Sequence, residues 1–259
     1  MLIEVQEKKL VPALERGSRL LDFVANAAER PTLTDIAREL DLPKSSAHGL
    51  CNTLTALGLL RRNSDQTFQI GPHVMRWANS FTRETNVVKE FAEIWDRESF
   101  LPGATVTLSV MEAGEVVYVA ARNSGAIAGF NFRIGMRLPA PFTATGKCFL
   151  SFFSEAEIHA LFRDGLPSPM TSRSVQDLPS LFSQLQRVRV QGFSIDNQEV
   201  ADGMICVGAP ILNANDHPIA SIAVSLLSDA LTTEQLNDVA ASVREVACLM
   251  SRRMGAAKY

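Results

Sequence analysis

Residues 33–60 read LTDIARELDLPKSSAHGLCNTLTALGLL and decide the fold, because two helical patterns lie on either side of one tight corner. In the first pattern the apolar residues Ile36, Ala37 and Leu40 have the spacing of one face of a short helix. Thr34 is the predicted N-cap, since its hydroxyl can accept a hydrogen bond from an amide of the first turn. This half of the stretch therefore predicts a short helix that ends before the corner.

The second pattern follows the corner sequence DLPKSS, residues 41–46. Pro43 disfavours helix at the residue before it, and Ser45 or Ser46 can cap a new helix. Gly58 offers a C-terminal stop. Two short helices across such a corner predict a helix-turn-helix, although any corner between two helices would leave the same pattern. The apolar series of the second helix has steps of three and four residues: Ala47, Leu50, Cys51, Leu54 and Leu57.

The segments before and after these helices favour a winged helix-turn-helix. Residues 59–71, LLRRNSDQTFQIG, predict a short strand, a polar turn at NSD and a second strand over residues 67–70. A hairpin directly after the second helix is the wing of such a domain. Residues 11–31 supply the preceding helix, which Pro31 ends. We therefore predict a winged helix-turn-helix DNA-binding domain over residues 1–72.

The charge distribution supports DNA binding only locally. The formal net charge of the chain is −3, and residues 1–80 carry ten Lys and Arg against nine Asp and Glu. Within residues 42–76, however, four cations are set against one acid, Asp65. Because phosphates attract Lys and Arg, this clustering favours a DNA-facing surface over ordinary solvated charges. The four cations are Lys44, Arg61, Arg62 and Arg76.

Length and composition predict two globular domains. The chain has 259 residues, of which 46% are hydrophobic, enough for a large core. It has no apolar run of about eighteen residues and no charged-then-apolar leader, so we expect no membrane span and no signal peptide. The four cysteines are widely spaced without a CxxC motif, which indicates reduced thiols in a cytoplasmic protein. The four histidines have no metal-ligand spacing, and we expect no metal or other cofactor.

Beyond residue 72 the sequence pattern changes twice. Residues 73–100 are strongly helical, with an interruption near residues 82–86, and predict a linker of one bent helix or two. Residues 101–259 predict the order β-β-α-α-α-β-β-β-α, which is an α+β domain with an antiparallel sheet. Its first two strands form a hairpin with alternating apolar residues. These are Val106, Leu108 and Val110 in one strand and Val117, Val119 and Ala121 in the other.

Two motifs in this second domain suggest chemistry. TATGKC resembles the end of a phosphate-binding loop, but Pro141 and Cys148 stand where that loop requires Gly and Ser or Thr. We reject the phosphate loop and expect Gly146 to open a helix whose amides face a cavity and could hold a carboxylate. Cys206 is the candidate nucleophile of an enzyme. Because no histidine lies at a local spacing from it, a buried structural cysteine is favoured.

Asp196, in the sequence SIDNQE, has two interpretations. It either caps a turn or faces a pocket as a polar group, and Thr145 and Ser225 are ambiguous in the same way. No Ser-His-Asp order, paired-carboxylate pattern or dinucleotide fingerprint appears in the sequence. The residues by themselves therefore leave the role of the second domain open.

Together these motifs resemble those of the IclR family of bacterial transcriptional regulators, from about residue 11 to residue 251. The N-terminal match is VPALERGSRLLDFV, LTDIARELDLPKSSAHGLCNTL and GLLRR followed by FQIG. The C-terminal match is IGMRLPAPFTATGKCFLSF and GFSIDNQEVADGMICVGAPILN followed by PIASIAVS. Four elements of the family occur in order along this second match: Gly-x-Arg-x-Pro, Thr-Gly-Lys, Asp-x-x-Glu and Cys-x-x-Ala-Pro-Ile. Their combination in this order is specific to the family.

The resemblance implies a winged helix joined by a linker helix, residues 73–100, to a GAF/PAS-like effector-binding domain, residues 101–259. It also implies a homodimer or homotetramer that binds double-stranded operator DNA and a small-molecule effector, with no membrane partner. The DNA-facing residues would be Lys44, Ser45, Ser46, His48, Arg61 and Arg62. The effector pocket would be lined by Ile127, Phe130, Ala144, Thr145, Asp196, Met204, Cys206, Ala223 and Ser225.

One position departs from the family. Gly49 stands where its members usually carry Arg, which removes a DNA contact of about 1–3 kcal/mol if that Arg reads a base. We predict a cytoplasmic, non-enzymatic, ligand-responsive transcriptional regulator, a repressor that senses a small organic acid or an aromatic metabolite. One alternative is a metabolite sensor with weakened DNA binding that acts through protein contacts. The other is an enzyme that uses Cys206.

Overall fold

The structure is a computed structural model, and the chain in it forms two compact units, Met1–Glu84 and Thr85–Tyr259. The helical stretch predicted as a linker contributes one helix to each unit. Within the described residues no helix is long and apolar enough to cross a membrane. The structure describes residues 11–84, 86–97, 104–122, 129–230 and 232–256.

The first unit contains a winged helix-turn-helix, as predicted. Its elements are α1 (Pro12–Asn26), α2 (Leu33–Glu39), α3 (Lys44–Ala56), β1 (Leu60–Arg62), β2 (Phe68–Ile70) and α4 (Val74–Glu84). Only residues 40–43 separate α2 from α3, so the corner is as tight as the sequence indicates. The two strands form an antiparallel hairpin in which Leu60 pairs with Ile70 and Arg62 with Phe68.

The start of α2 differs from the prediction. Its N-cap is Thr32 and not Thr34, because only Thr32 lies three residues before an acid and can form a reciprocal capping box with it. Thr32 Oγ1 accepts a hydrogen bond from Asp35 N at 3.4 Å, and Asp35 Oδ2 accepts one from Thr32 N at 3.0 Å. The helix therefore begins two residues earlier than a cap at Thr34 would place it.

The start of α3 also differs from the prediction. Lys44 is its first residue and Pro43 its N-cap, so neither Ser45 nor Ser46 caps the helix. Both serines lie in the first turn with exposed side chains. Their hydroxyls are therefore available to a partner outside the domain.

The core of the first unit contains most of the apolar residues predicted from the sequence, but Leu57 is 55% exposed and Leu50 is only partly buried. Leu20 of α1, Ile36 of α2 and Ala47 and Cys51 of α3 are fully buried. Gly58 follows the end of α3 with a φ of 72°, a left-handed conformation that glycine adopts without strain. This turn leads directly into the hairpin.

The second unit is a six-stranded antiparallel sheet with helices on both faces, which confirms the α+β class. The strand order is β5-β4-β3-β8-β7-β6. The edge strand β5 is missing from the predicted order, because three residues are too few to show an alternating pattern. The elements are α5 (Asn86–Arg97), β3 (Thr105–Glu112), β4 (Glu115–Arg122), β5 (Arg137–Pro139), α6 (Ala144–Leu150), α7 (Glu155–Leu161), α8 (Leu178–Gln191), β6 (Ser194–Asn197), β7 (Met204–Leu212), β8 (Pro218–Leu227) and α9 (Thr233–Arg253).

Two apolar layers cover the sheet. Helices α5 and α9 pack against one face, and α6, α7 and α8 pack against the other. In β4 the buried residues are Val116 and Tyr118, whereas Val117, Val119 and Ala121, the alternating apolar residues of the prediction, are only partly buried. Because both faces of the sheet are covered, apolar residues occupy both, and alternation in the sequence does not identify the more buried one.

Two glycines bring the start of α6 against its neighbours. A Cβ on Gly146 would lie 2.2 Å from the carbonyl oxygen of Ala140, closer than side-chain atoms ever approach. A Cβ on Gly208 of β7 would lie 3.1 Å from the carbonyl carbon of Ala144. The start of α6 therefore packs directly on β7, and this brings Thr145 to the middle of the sheet.

Candidate DNA-binding face and effector cavity

The first unit exposes a polar face made by α3 and the hairpin. Ala47 and Cys51 of α3 face the core, so the residues between them on the other side of the helix face solvent. The guanidinium carbon of Arg62 lies 5.7 Å from the ring centroid of Phe68, a cation–π contact that positions it. Cations and hydroxyls in this arrangement suit phosphate oxygens and base edges. All six predicted DNA-facing residues are exposed: Lys44, Ser45, Ser46, His48, Arg61 and Arg62.

Two further positions belong to this face. Asn52, which the sequence analysis missed, is exposed, and its Nδ2 lies 3.4 Å from His48 Nδ1. Its spacing of four residues from His48 was the signal that could have found it. Gly49 is also exposed, and no atom lies within 4 Å of the place its Cβ would take. The packing of α3 therefore does not require glycine at this position.

In the second unit, three neighbouring strands place Asp196, Cys206 and Ser225 in one row. Asp196 of β6 lies opposite Cys206 of β7, and Cys206 lies opposite Ser225 of β8. This row and the start of α6 line a cavity of about 10 Å³, roughly the space that one water molecule requires. The site is therefore nearly closed, with a few polar groups set in a mostly apolar wall.

The structure brings seven of the nine predicted effector-pocket residues to this cavity. Phe130 does not line it but packs on Phe132, which does, with ring centroids 4.9 Å apart. Ile127 lies outside the described residues. The seven are Ala144, Thr145, Asp196, Met204, Cys206, Ala223 and Ser225. The lining residues that the sequence analysis missed are Thr107, Tyr118, Phe132, Thr143 and Val200.

Asp196 combines the two interpretations that the sequence allowed. Its Oδ1 caps a turn, accepting hydrogen bonds from Glu199 N at 2.6 Å and Val200 N at 3.4 Å. Its Oδ2 is buried without a hydrogen-bond partner among the described residues. Burial raises the pKa of the Asp196 carboxyl to about 7, against the opposing effect of the Lys147 charge. This group therefore changes its protonation near neutral pH.

Cys206 has the environment of a structural thiol. Burial, followed by the charge of Asp196, raises the pKa of Cys206 well above its ordinary value. Its Sγ lies 3.2 Å from Ser225 Oγ, and no histidine is among the described residues that line the cavity. A thiol that keeps its proton at neutral pH is a poor nucleophile, which disfavours an enzyme that uses Cys206.

A buried ion pair that the sequence analysis missed adjoins the cavity. Lys147 of α6 is 1% exposed and binds the carboxylate of Glu199, which is 5% exposed. Lys147 Nζ also donates to the carbonyl oxygen of Ile195 at 3.2 Å, and Glu199 Oε2 accepts from Val175 N at 3.2 Å. The Lys of the Thr-Gly-Lys motif thus meets the Glu of the Asp-x-x-Glu motif. The pair joins α6 to the turn after β6.

Comparison with known proteins identifies the family. The family model described as bacterial transcriptional regulator IclR C-terminal matches residues 80–252, and the IclR helix-turn-helix domain matches residues 13–64. The chain belongs to the IclR family of bacterial transcriptional regulators. It is a ligand-responsive transcription regulator with a DNA-binding helix-turn-helix, as its sequence predicts.

Individual relatives agree over nearly the whole chain. The HTH-type transcriptional regulator XynR of Escherichia coli (strain K12) is 27% identical over 249 residues, which are 95% of this chain and 98% of that protein. The crystal structure of the Agrobacterium tumefaciens repressor BlcR is 43% identical with a TM-score of 0.62, covering 95% of this chain and 97% of that one. An IclR homologue complexed with 4-hydroxybenzoate from Microbacterium hydrocarbonoxydans is 18% identical, has a TM-score of 0.77 and covers 93% and 98%. The homologue complexed with 4-hydroxybenzoate therefore shares the fold of this chain.

Proposed function

We propose that this IclR-family regulator is a repressor that works as a homodimer or homotetramer and senses a small organic acid or aromatic metabolite. It binds operator DNA through the exposed face of α3 and the hairpin, and its effector enters the cavity beside Asp196. One observation carries the proposal: Asp196, Cys206 and Ser225 lie opposite one another on three strands, around a buried cavity that Thr145 closes from α6. The 43% identical BlcR is named a repressor, which supports repression here.

The DNA-binding half of the proposal depends on the chemistry of the exposed face. Lys44 and His48 lie near the start of α3, where a recognition helix contacts base edges in the major groove. Arg61 and Arg62 on the hairpin are placed to contact backbone phosphates. Asn52 can form two hydrogen bonds with an adenine and is a further candidate reader.

The effector half depends on what the cavity offers a ligand. Met204, Phe132 and Val200 supply apolar wall, while Asp196 and Ser225 supply polar groups that can orient a small molecule. With a pKa of about 7, the Asp196 carboxyl can donate a hydrogen bond when protonated and accept one when ionised. Once the cavity opens, these groups can therefore pair with the carboxyl or hydroxyl group of a small acid or phenol.

DNA binding is tested by fluorescence anisotropy with the intergenic DNA upstream of the gene, titrated with salt. Lys44→Ala and Arg61→Ala should each weaken binding, and each should lower the salt slope by about one if it removes a phosphate contact. The matched control is Arg163→Ala, an exposed cation of the second unit that pairs with Asp164. Native affinity in both α3 and hairpin variants would contradict this placement of the DNA-binding face.

Effector binding is tested with a panel of small carboxylic acids and aromatic acids in the same assay. An effector from the panel should shift the operator affinity of the native protein. Ser225→Ala should weaken that response without changing DNA binding in the absence of ligand. A response that persists unchanged in Ser225→Ala and Asp196→Asn would place the effector elsewhere.

A second candidate function is a metabolite sensor with weakened DNA binding that acts through protein contacts. The observation that favours it is Gly49, which leaves an exposed gap in the middle of the polar face of α3. Such a sensor would bind ligand but show only weak association with DNA, equal for operator and unrelated sequence. A selective operator complex would exclude it.

A further inference from the structure

A second and larger cavity lies at the edge of the sheet, away from the effector cavity. It is a groove of about 620 Å³ between α8 and the edge strand β6. None of its described lining residues belongs to the effector cavity. The proposed DNA-binding face of α3 and the hairpin is in the other unit, so neither site already described accounts for this groove.

The floor of the groove is the buried pair of Lys147 and Glu199. The two charges neutralise each other, and Glu199 uses both carboxylate oxygens, one for Lys147 and one for Val175 N. Lys147 donates to Glu199 and to the carbonyl oxygen of Ile195. Because an ammonium has three N–H donors, one donor remains for a molecule in the groove.

The rim of the groove carries two further cations, Arg173 and Arg187. Both are exposed, and neither guanidinium forms an ion pair or a hydrogen bond with a residue that the structure describes. No acid other than Glu199 lines the groove within the described chain. Two positive charges there are consequently not balanced by neighbouring carboxylates.

From this arrangement we infer that the groove is a second ligand site, specific for a small anion with at least two anionic oxygens. Guanidinium groups bind carboxylate and phosphate oxygens in pairs, and a buried ammonium adds a donor on the floor. Dicarboxylates and phosphates share this chemistry. Arg173 and Arg187 hold the anion from the rim, and Lys147 contacts it from below.

The groove is connected to the effector cavity through one turn of the chain. Glu199, on the groove floor, donates its backbone N–H to Asp196 Oδ1 at 2.6 Å, and Asp196 lines the cavity. A ligand that displaces the Lys147 ammonium therefore also changes the position of the Asp196 carboxyl. By linkage, an effector in the cavity and an anion in the groove change each other's affinity by the same factor.

Isothermal titration calorimetry with inorganic phosphate and with malonate, at constant ionic strength, tests the site. The native protein should bind one of the two probes with a dissociation constant below about 10 mM. The double variant Arg173→Gln/Arg187→Gln should bind that probe about tenfold more weakly or worse, because each Arg contributes charge-assisted hydrogen bonds. The matched control, Arg163→Gln, also removes an exposed cation and should bind like the native protein.

The outcomes of these titrations can be distinguished from the outcomes of the operator-binding and effector tests. The probe that binds more tightly, phosphate or malonate, identifies the class of ligand. Failure of both probes to bind, or equal affinity in the double variant, overturns the inference. The inference is also overturned if Ser225→Ala loses affinity for the probe and the double variant does not, because the probe then occupies the effector cavity. Operator binding is measured independently, so its failure leaves the groove result standing.

Discussion

Asp196 and Glu199 are joined across a tight turn, with the Asp196 Oδ1 accepting a hydrogen bond from Glu199 N at 2.6 Å. The Glu199 carboxylate in turn binds Lys147 of α6. One short series of contacts therefore connects the strand at the base of the cavity with the helix that closes it. A ligand that moves α6 away from the sheet must change these contacts.

Breaking the buried pair should be costly. Glu199→Gln leaves the ammonium of Lys147 buried without its counter-charge, and we expect the free energy of unfolding to fall by about 3–5 kcal/mol. Urea unfolding measures this loss. Arg38→Ala, which removes the exposed pair with Asp35, is the control and should cost less than about 1 kcal/mol.

The double variant Lys147→Met/Glu199→Gln tests the cause of that loss. It removes both charges and keeps an acceptor for Val175 N. It should be more stable than Glu199→Gln alone, because no uncompensated charge remains buried. A double variant as unstable as the single one would show that packing and not charge is responsible.

The Asp196 carboxyl should make stability depend on pH. Its pKa in the folded protein, about 7, lies above its unfolded value of about 3.9, so the folded state binds the extra proton between these values. Its contribution is then fully present below about pH 4 and is lost as the pH rises through 7. Asp196→Asn is neutral throughout, so the native protein should lose stability relative to it from about pH 4 to about pH 7. Parallel stability curves over this range would contradict the assignment.

Gly146 should not tolerate a side chain. In Gly146→Ala the new Cβ would overlap the backbone oxygen of Ala140 at 2.2 Å, so α6 must move away from its neighbours. We expect a loss of about 3 kcal/mol or more in the free energy of unfolding. Gly49→Ala is the matched control, because Gly49 is helical with open space around it and should gain up to about 1 kcal/mol. Equal effects at the two positions would contradict this account.

Gly49→Arg should strengthen operator binding. The helix has room for the side chain, and an Arg on this face can reach a base or a phosphate, so affinity should rise about tenfold. Anisotropy with the upstream DNA measures it. Gly49→Gln has a similar helix propensity without the charge and should gain much less. No gain in the Arg variant would mean that this face of α3 is turned away from the DNA.

The helix-turn-helix could be predicted because its signals are local. A proline in the corner, apolar steps of three and four residues and Gly58 after α3 all lie within one short stretch. The cap of α2 was misplaced because Thr32 and Thr34 have similar propensities, and only the reciprocal bond with Asp35 distinguishes them.

The site in the second unit could be predicted only where the family resemblance names its residues. The row of Asp196, Cys206 and Ser225 depends on the pairing of three strands, which no local pattern specifies. Lys147 and Glu199 are 52 positions apart, and a charged residue in a short helix is ordinarily expected at the surface. Tyr118 was missed because both faces of β4 carry apolar residues.

The small volume of the proposed effector cavity means that a metabolite can bind there only after the cavity opens. A molecule larger than water binds only to those copies of the protein in which α6 and β7 have separated. The observed affinity is then the intrinsic affinity multiplied by the fraction of open copies. The close packing of Ala144 on Gly208 opposes this separation. The concentration at which the protein responds therefore depends on how tightly α6 packs on β7 as well as on the contacts that the metabolite makes.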